Sequence, residues 1–271
     1  ASASDRKVIV WNIESRSILQ TLQCQTWVGN ILFTNNDQNV IGIGGKGMFF
    51  DWDILSGNLN CEVILESTES VALSKTYNDD LIATANKKGI ISIWRYPALS
   101  KIDSFSMGNH EIRKISFSFD EENIIGCDIS GKVSIFSLKD KTETVLFSHP
   151  KNSPIRFICF SPTGFEISFI DGDGYLYLFN LIDHNIVCNV KAHNDMGLCC
   201  EFNKDGKYIA SGGQDNEIII WKRSKNRFIK KLIISGHSDA VTTLVFDRTN
   251  NLYSASRDKL IKYWNIGKFL Y

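Results

Sequence analysis

Short apolar runs rich in Ile, Val, Phe and Tyr recur along the chain, cut by clusters of Gly, Asn, Asp, Ser and Lys. This pattern predicts strands rather than helices. Seven runs end on an aromatic residue: VIVW, MFFDW, ISIW, VSIF, YLYLF, IIIW and LIKYW. The aromatics are Trp11, Trp52, Trp94, Phe136, Phe179, Trp221 and Trp264, stepping by 41, 42, 42, 43, 42 and 43 residues. Before the fourth aromatic, IRKISFS alternates apolar and polar positions as a half-buried strand requires. A fixed period of this length decides the architecture ahead of any other reading.

The last two periods superimpose. His193 matches His237, Phe202 matches Phe246, Asp215 matches Asp258 and Trp221 matches Trp264. A G-H…S-x-x-x-D…W pattern at this step resembles the WD40-repeat family, in which each repeat makes one four-stranded propeller blade. The resemblance covers essentially the whole chain, sharpest in the last two periods and weakest in the middle. It implies an all-β, seven-bladed propeller of four-stranded antiparallel blades, one domain over 1–271. The expected blades are a partial one at 1–23, lacking its first strand, then about 27–65, 70–105, 110–146, 149–190, 193–233 and 237–271. Lys222–Lys231 is expected to link two strands, and the final NIGKFLY to supply a short fourth strand.

The same resemblance implies a hydrogen-bonded relay of structural residues. One set is His193, Ser211, Asp215 and Trp221; the other is His237, Ser254, Asp258 and Trp264. The Asp holds the imidazole, the imidazole reaches the Ser, and the Ser reaches the indole N–H. Lys46, Lys88 and Ser130 stand where the pattern has Asp, and Phe136 and Phe179 where it has Trp, while Asp173 is retained. Looser turns are therefore expected in blades two to four. A Ser-His-Asp set also invites a hydrolytic reading, which needs an exposed nucleophile and an oxyanion hole. Here the set is tied to the repeat and occurs twice with a Trp, so the structural reading is preferred. The motifs G-x-x-x-x-G-K-[ST], G-x-S-x-G and H-E-x-x-H are absent, and GGKG at 44–47 reads as a hairpin turn. No catalytic residue is assigned.

Charge and cysteines narrow the class. Lys+Arg and Asp+Glu both number 30, so the chain is neutral overall. Neutrality argues against a general nucleic-acid or anionic-membrane binder and leaves only a local patch open. Seven cysteines, an odd number without C-x-x-C, read as a reducing, intracellular setting, cytoplasmic or nuclear, with no disulfide framework, metal or cofactor. No run of about 20 apolar residues and no signal peptide is seen. With no initiator Met, Ala1 is not expected to be the natural start.

Partners of this family dock on the rim where first strands begin and where the loops between second and third strands emerge. Alignment puts Arg113 and Arg156 at one place, a residue into strand one, with Gly29, Leu198 and Thr242 as equivalents. Side by side near a channel mouth, two arginines would favour an acidic or phosphorylated motif; the bland reading pairs them with Glu111 and other local acids. Trp27, in the loop before a first strand, is a candidate anchor, and Gln214, Asp239 and Arg257 align to the same rim. The run KRSKNRFIKK falls on the opposite face as a solvated turn. The function expected is a non-catalytic protein-binding scaffold within a larger complex. Alternatives are a substrate receptor of a cullin-type ubiquitin ligase and a phosphoinositide- or nucleic-acid-associated propeller. The first lacks its W-D-x-R signature, and the paired-arginine F-R-R-G motif for phosphoinositides is reduced to PIRF around Arg156.

Overall fold

The structure, a computed structural model, describes residues 2–3, 6–34 and 37–270. Ala1 and Tyr271, the ends of the expected domain, lie outside the described residues. The strands, grouped sheet by sheet, are β1 (Ser2–Ala3), β2 (Lys7–Asn12) and β3 (Ser17–Gln23); β4 (Val28–Phe33), β5 (Asn39–Gly44), β6 (Met48–Asp53) and β7 (Leu59–Ile64); β8 (Ser70–Lys75), β9 (Leu81–Asn86), β10 (Ile90–Arg95) and β11 (Ser100–Ser106); β12 (Ile112–Phe117), β13 (Asn123–Asp128), β14 (Lys132–Ser137) and β15 (Thr142–Ser148); β16 (Ile155–Phe160), β17 (Glu166–Asp171), β18 (Tyr175–Asn180) and β19 (Asn185–Lys191); β20 (Gly197–Phe202), β21 (Tyr208–Gly213), β22 (Glu217–Ser224) and β23 (Arg227–Ser235); β24 (Val241–Phe246), β25 (Leu252–Ser256) and β26 (Ile261–Trp264). Within each sheet the strands lie in chain order.

Six of these sheets are blades, five of four strands and one of three. The expected seven are corrected to six blades and an N-terminal fragment. There β1 is only two residues long, and no inner strand joins it among the described residues. Trp11 marks a repeat because the aromatic sits on the third strand of a blade, and that strand is present as β2. The final residues also differ from expectation. Gly267–Phe269 forms a 3-10 turn rather than a strand. The basic run Lys222–Lys231 lies almost wholly inside β22 and β23, which meet at Lys225 and Asn226.

Burial explains why the runs read as continuous rather than alternating. Middle strands such as β9, β17 and β21 are buried along nearly their whole length, whereas the outer β11 and β15 are mostly exposed. A strand covered on both faces has no polar face to alternate with. Two irregularities recur. One residue of the first strand is skipped in pairing, between Val28 and Asn30, Ser70 and Ala72, Ile155 and Phe157, Gly197 and Cys199, and Val241 and Thr243. The pairing to the fourth strand shifts at the aromatic itself, as at Ile93/Trp94 and Ile220/Trp221.

The chain divides into two compact units, Ala1–Gly126 with Phe136–Glu143, and Cys127–Ile135 with Thr144–Tyr271. The first holds one cluster around Val8, Val40, Phe50 and Trp52 and another around Ile41, Phe49, Leu73, Ile82 and Trp94. The second packs Ile170, Leu178, Phe202, Ile219 and Trp221 together. A further cluster there holds Ile218, Ile220, Val241, Leu244, Leu252 and Ile266.

Candidate functional site

The rim turns are supported from below by buried polar chains. In the second unit, Asp215 Oδ1 lies 2.9 Å from His193 Nδ1, and Oδ2 accepts from the Asn194 N–H at 3.1 Å. His193 Nε2 is 2.9 Å from Ser211 Oγ, which accepts from Trp221 Nε1 at 3.0 Å. The following repeat repeats this with His237, Asp258, Ser254 and Trp264 at 2.7, 2.7 and 2.8 Å. The network assigns the proton to Nδ1 in both imidazoles: the Ser hydroxyl, itself accepting from the indole, donates to Nε2. Each Ser is therefore buried beneath its turn, its proton committed to the imidazole and its oxygen to the indole N–H.

Burial resists ionisation of both carboxyls, but the bonds they accept outweigh it. The Asp215 carboxyl is lowered, and that of Asp258 is brought to about 2 by His237, Leu260 N–H and Ser238 N–H. The unfolded value is about 3.9. A depressed folded value stabilises fully above the unfolded one and is lost as pH falls through the folded one. Asp258→Asn should therefore lower the melting temperature at pH 5, and the gap from wild type should close between about pH 4 and 2. A gap independent of pH would reject this assignment.

In three blades that depart from the pattern the turn is still held, because its acceptor has moved. In the first unit, Asn86 Oδ1, at the end of β9, accepts from Lys88 and Ile90 N–H at 2.9 and 3.1 Å. In the second, Asp128 Oδ1 accepts from Ser130 and Lys132 N–H, and Asp171 Oδ1 from Tyr175 N–H at 2.8 Å. Each stands two residues before the expected Asp position. Gly213 occupies that place beside His193, where a Cβ would come 2.6 Å from the imidazole. The expectation of looser turns is thus corrected for Lys88 and Ser130. Likewise, Asp171 is nearer His149 Nε2, at 3.4 Å, than Asp173, at 3.9 Å.

Two polar sets of the first unit have no counterpart in the pattern. Glu66 stands 28 residues before Trp94, as His193 stands before Trp221. It accepts from Asn86 Nδ2 at 2.7 Å and from the Ser92 hydroxyl. Trp94 Nε1 meanwhile donates to Thr84 Oγ1 at 3.0 Å. Buried Asp51 accepts from Asn39 Nδ2, Asn60 Nδ2 and Tyr96 Oη at 2.7, 3.3 and 2.6 Å. Counting back from Trp94 finds Glu66; no local spacing finds the Asp51–Tyr96 pair.

The rim positions behave differently from one another. Asp239 and Arg257 are exposed on neighbouring turns: Arg257 N–H bonds Ala240 O, and Ser256 Oγ bonds Asp239 O. Gln214 holds the place equivalent to Arg257, its N–H on Met196 O at 2.8 Å, and its buried Oε1 has no hydrogen-bond partner. Arg156, Gly29, Leu198 and Thr242 are the skipped residues of the first-strand bulges, a geometry that re-aims side chains. Arg156 Nη2 reaches Met196 Sδ at 3.4 Å, whereas Arg113 is bound to Glu111 at 2.5 Å. Trp27 is half-buried, lying against Gly29, Gly44 and Gly45. A Cβ at Gly44 would come 1.9 Å from the Trp27 backbone O and one at Gly45 2.7 Å from the indole Nε1, so these two glycines make room for the Trp27 backbone and ring.

Among the described residues no cluster of three His, Cys, Asp or Glu is placed to hold a metal, and no helix is long and apolar enough to cross a membrane. The seven cysteines are free thiols.

Antiparallel four-stranded blades whose rim turns are tied through His, Ser and Trp define a propeller-blade protein of the repeat type. Residues 184–222 and 228–265 match the family model described as WD domain, G-beta repeat, and this match together with WD-repeat relatives supports a WD40-repeat reading of the chain. It is similar to the meiotic recombination protein rec14 of Schizosaccharomyces pombe, 22% identical over 191 residues, 65% of this chain and 63% of the relative. The periodic tryptophan protein 2 homolog of Dictyostelium discoideum is 28% identical over 183 residues, 66% of this chain and 20% of the relative. The WD repeat-containing protein 26 homolog of Arabidopsis thaliana is 25% identical over 293 aligned positions, 99% of this chain and 46% of the relative. The chain thus spans less than two thirds of the length of each.

Proposed function

We propose that this chain is a non-catalytic scaffold: one interaction domain of a larger intracellular assembly, binding partner proteins through its rim. The observation that carries this reading is the division of labour at the rim of the second unit. Buried relays fix the turns, and the side chains the turns present, Asp239, Arg257 and Gln214, are spared from the relays. Rigid turns lower the ordering cost of association. WD40 propellers bind other proteins, which supports the reading at the level of the family. Trp27, Arg113 and Arg156 are proposed as secondary contacts, with acidic or phosphorylated segments as the motifs suited to the arginines.

The test is affinity capture with wild type beside an Asp239→Arg/Arg257→Glu variant of unchanged melting temperature. Proteins kept by wild type and lost by the variant support the rim assignment. Identical capture by both would reject it.

A further inference from the structure

The end of the second unit opposite the rim turns holds an unbalanced charge that the neutral total conceals. There the turns after β20, β22 and β24 meet the C-terminal 3-10 turn. Hydrogen bonds fasten them to one another. Asn203 Nδ2 donates to Asn250 Oδ1 at 2.9 Å, and Arg223 Nη1 to Gly206 O at 3.1 Å. Gly267 N–H donates to Asn251 Oδ1 at 3.0 Å, and Tyr208 Oη to Leu270 O. Six exposed cations ride on this welded end: Lys204, Lys222, Lys225, Arg227, Arg248 and Lys268.

The acids nearby are already engaged. Asp205 pairs with Lys207 at 3.0 Å, and Glu166 with Arg223 at 2.6 Å. Asp247 accepts from Thr249 and Asn251 of its own turn. Asp183, beside Lys225, is the remaining carboxylate at the tip. The corresponding turns of the first unit carry Asp79, Asp80, Asp120, Glu121 and Glu122 instead, so the excess of cations is particular to this end.

Shape adds to charge. β22 runs three residues past Trp221, whereas β10 and β18 end one residue past their aromatics. Pairing continues through Arg223↔Phe228 and Ser224↔Arg227, so a two-stranded ribbon reaches out with Lys225 and Asn226 at its tip. A carboxylate-bearing partner would be served by a free arginine fork, but the one held in place here, Arg223, is taken by Glu166 and Gly206 O. What remains is mostly lysine, point charges on long stems spread over several turns, which can follow a repeating array of phosphates. The major groove of B-form DNA admits a two-stranded ribbon, while that of A-form RNA is too deep and narrow.

We propose that this basic end binds the phosphate backbone of duplex DNA without sequence preference, the β22–β23 ribbon lying along the major groove. The test is fluorescence anisotropy of the full chain with a labelled 20-base-pair duplex, against a K222E/K225E/R227E variant and a K151E/K259E control on the rim end. Binding at 50 mM salt should weaken several hundred-fold by 200 mM, as expected for about five phosphate contacts. The triple variant, with wild-type melting, should lose at least tenfold and the control under twofold. No binding at 50 mM salt, or equal loss in the control, would overturn the proposal. Equal competition by polyglutamate at the same charge concentration would assign the surface to an acidic protein. Stronger binding to phosphatidylserine vesicles would assign it to a membrane. Equal affinity for an RNA duplex would reject the groove placement.

Discussion

Ser211→Ala is expected to lower the unfolding free energy by about 2–4 kcal/mol, because it strands two buried polar groups at once. The Ser211 hydroxyl is fully buried, accepts from Trp221 Nε1 and bonds His193 Nε2. Each orphaned partner carries a desolvation cost of about 1–3 kcal/mol. For a protein of this size that is a fall of about 5–12 °C in melting temperature, read by circular dichroism. Trp52→Phe is the informative comparison. Its indole is as buried as that of Trp221, but ten residues before it stands Gly42, and Trp52 Nε1 has no hydrogen-bond partner. Trp52→Phe breaks no hydrogen bond, so its cost is that of the cavity left beside Phe50. A Ser211→Ala effect below about 1 kcal/mol would sink the relay's role.

Asp51→Ala is expected to cost about 3 kcal/mol, the order of breaking several charge-assisted hydrogen bonds less the relief of burying one carboxylate. Three donors, from Asn39, Asn60 and Tyr96, converge on it. A second readout separates this bond from packing alone. Burial, then the bond to Asp51, pushes the Tyr96 phenol above its ordinary range. A raised folded value stabilises below the unfolded pKa of about 10 and is lost as pH climbs through the folded one. In Asp51→Ala the phenol should ionise at lower pH, visible in ultraviolet absorbance. An unmoved titration would show that burial alone sets it.

The period of the aromatics made the blades legible, since each falls on the third strand whatever the rest of the repeat does. That same landmark overcounted them. Trp11 announces a blade from its third strand, although no inner strand joins β1 among the described residues. The two full relays were legible because all four residues keep their spacing. The substitutes at Asn86, Asp128 and Asp171 were not, because the acceptor slides two residues while the turn it serves stays put. Pairing irregularities escape any reading of residue types: Arg156 and Thr242 differ in every property and occupy the same bulge. Tyr96 reaching Asp51 is a contact from the turn after β10 to β6 of the preceding blade, and neither neighbour's local pattern announces it.

The varied polar sets have a consequence for how such a gene can change. Tandem repeats invite unequal crossing-over, which deletes or duplicates whole units in register. Here the joints are keyed. Tyr96 needs Asp51 in the preceding blade, and Asn203 needs Asn250 in the following one. An exchange that preserved every strand would still part these pairs and bury the orphans. Repeat order is therefore enforced by chemistry at the joints, and viable variants of this chain should arise by point substitution rather than by shuffling of its units.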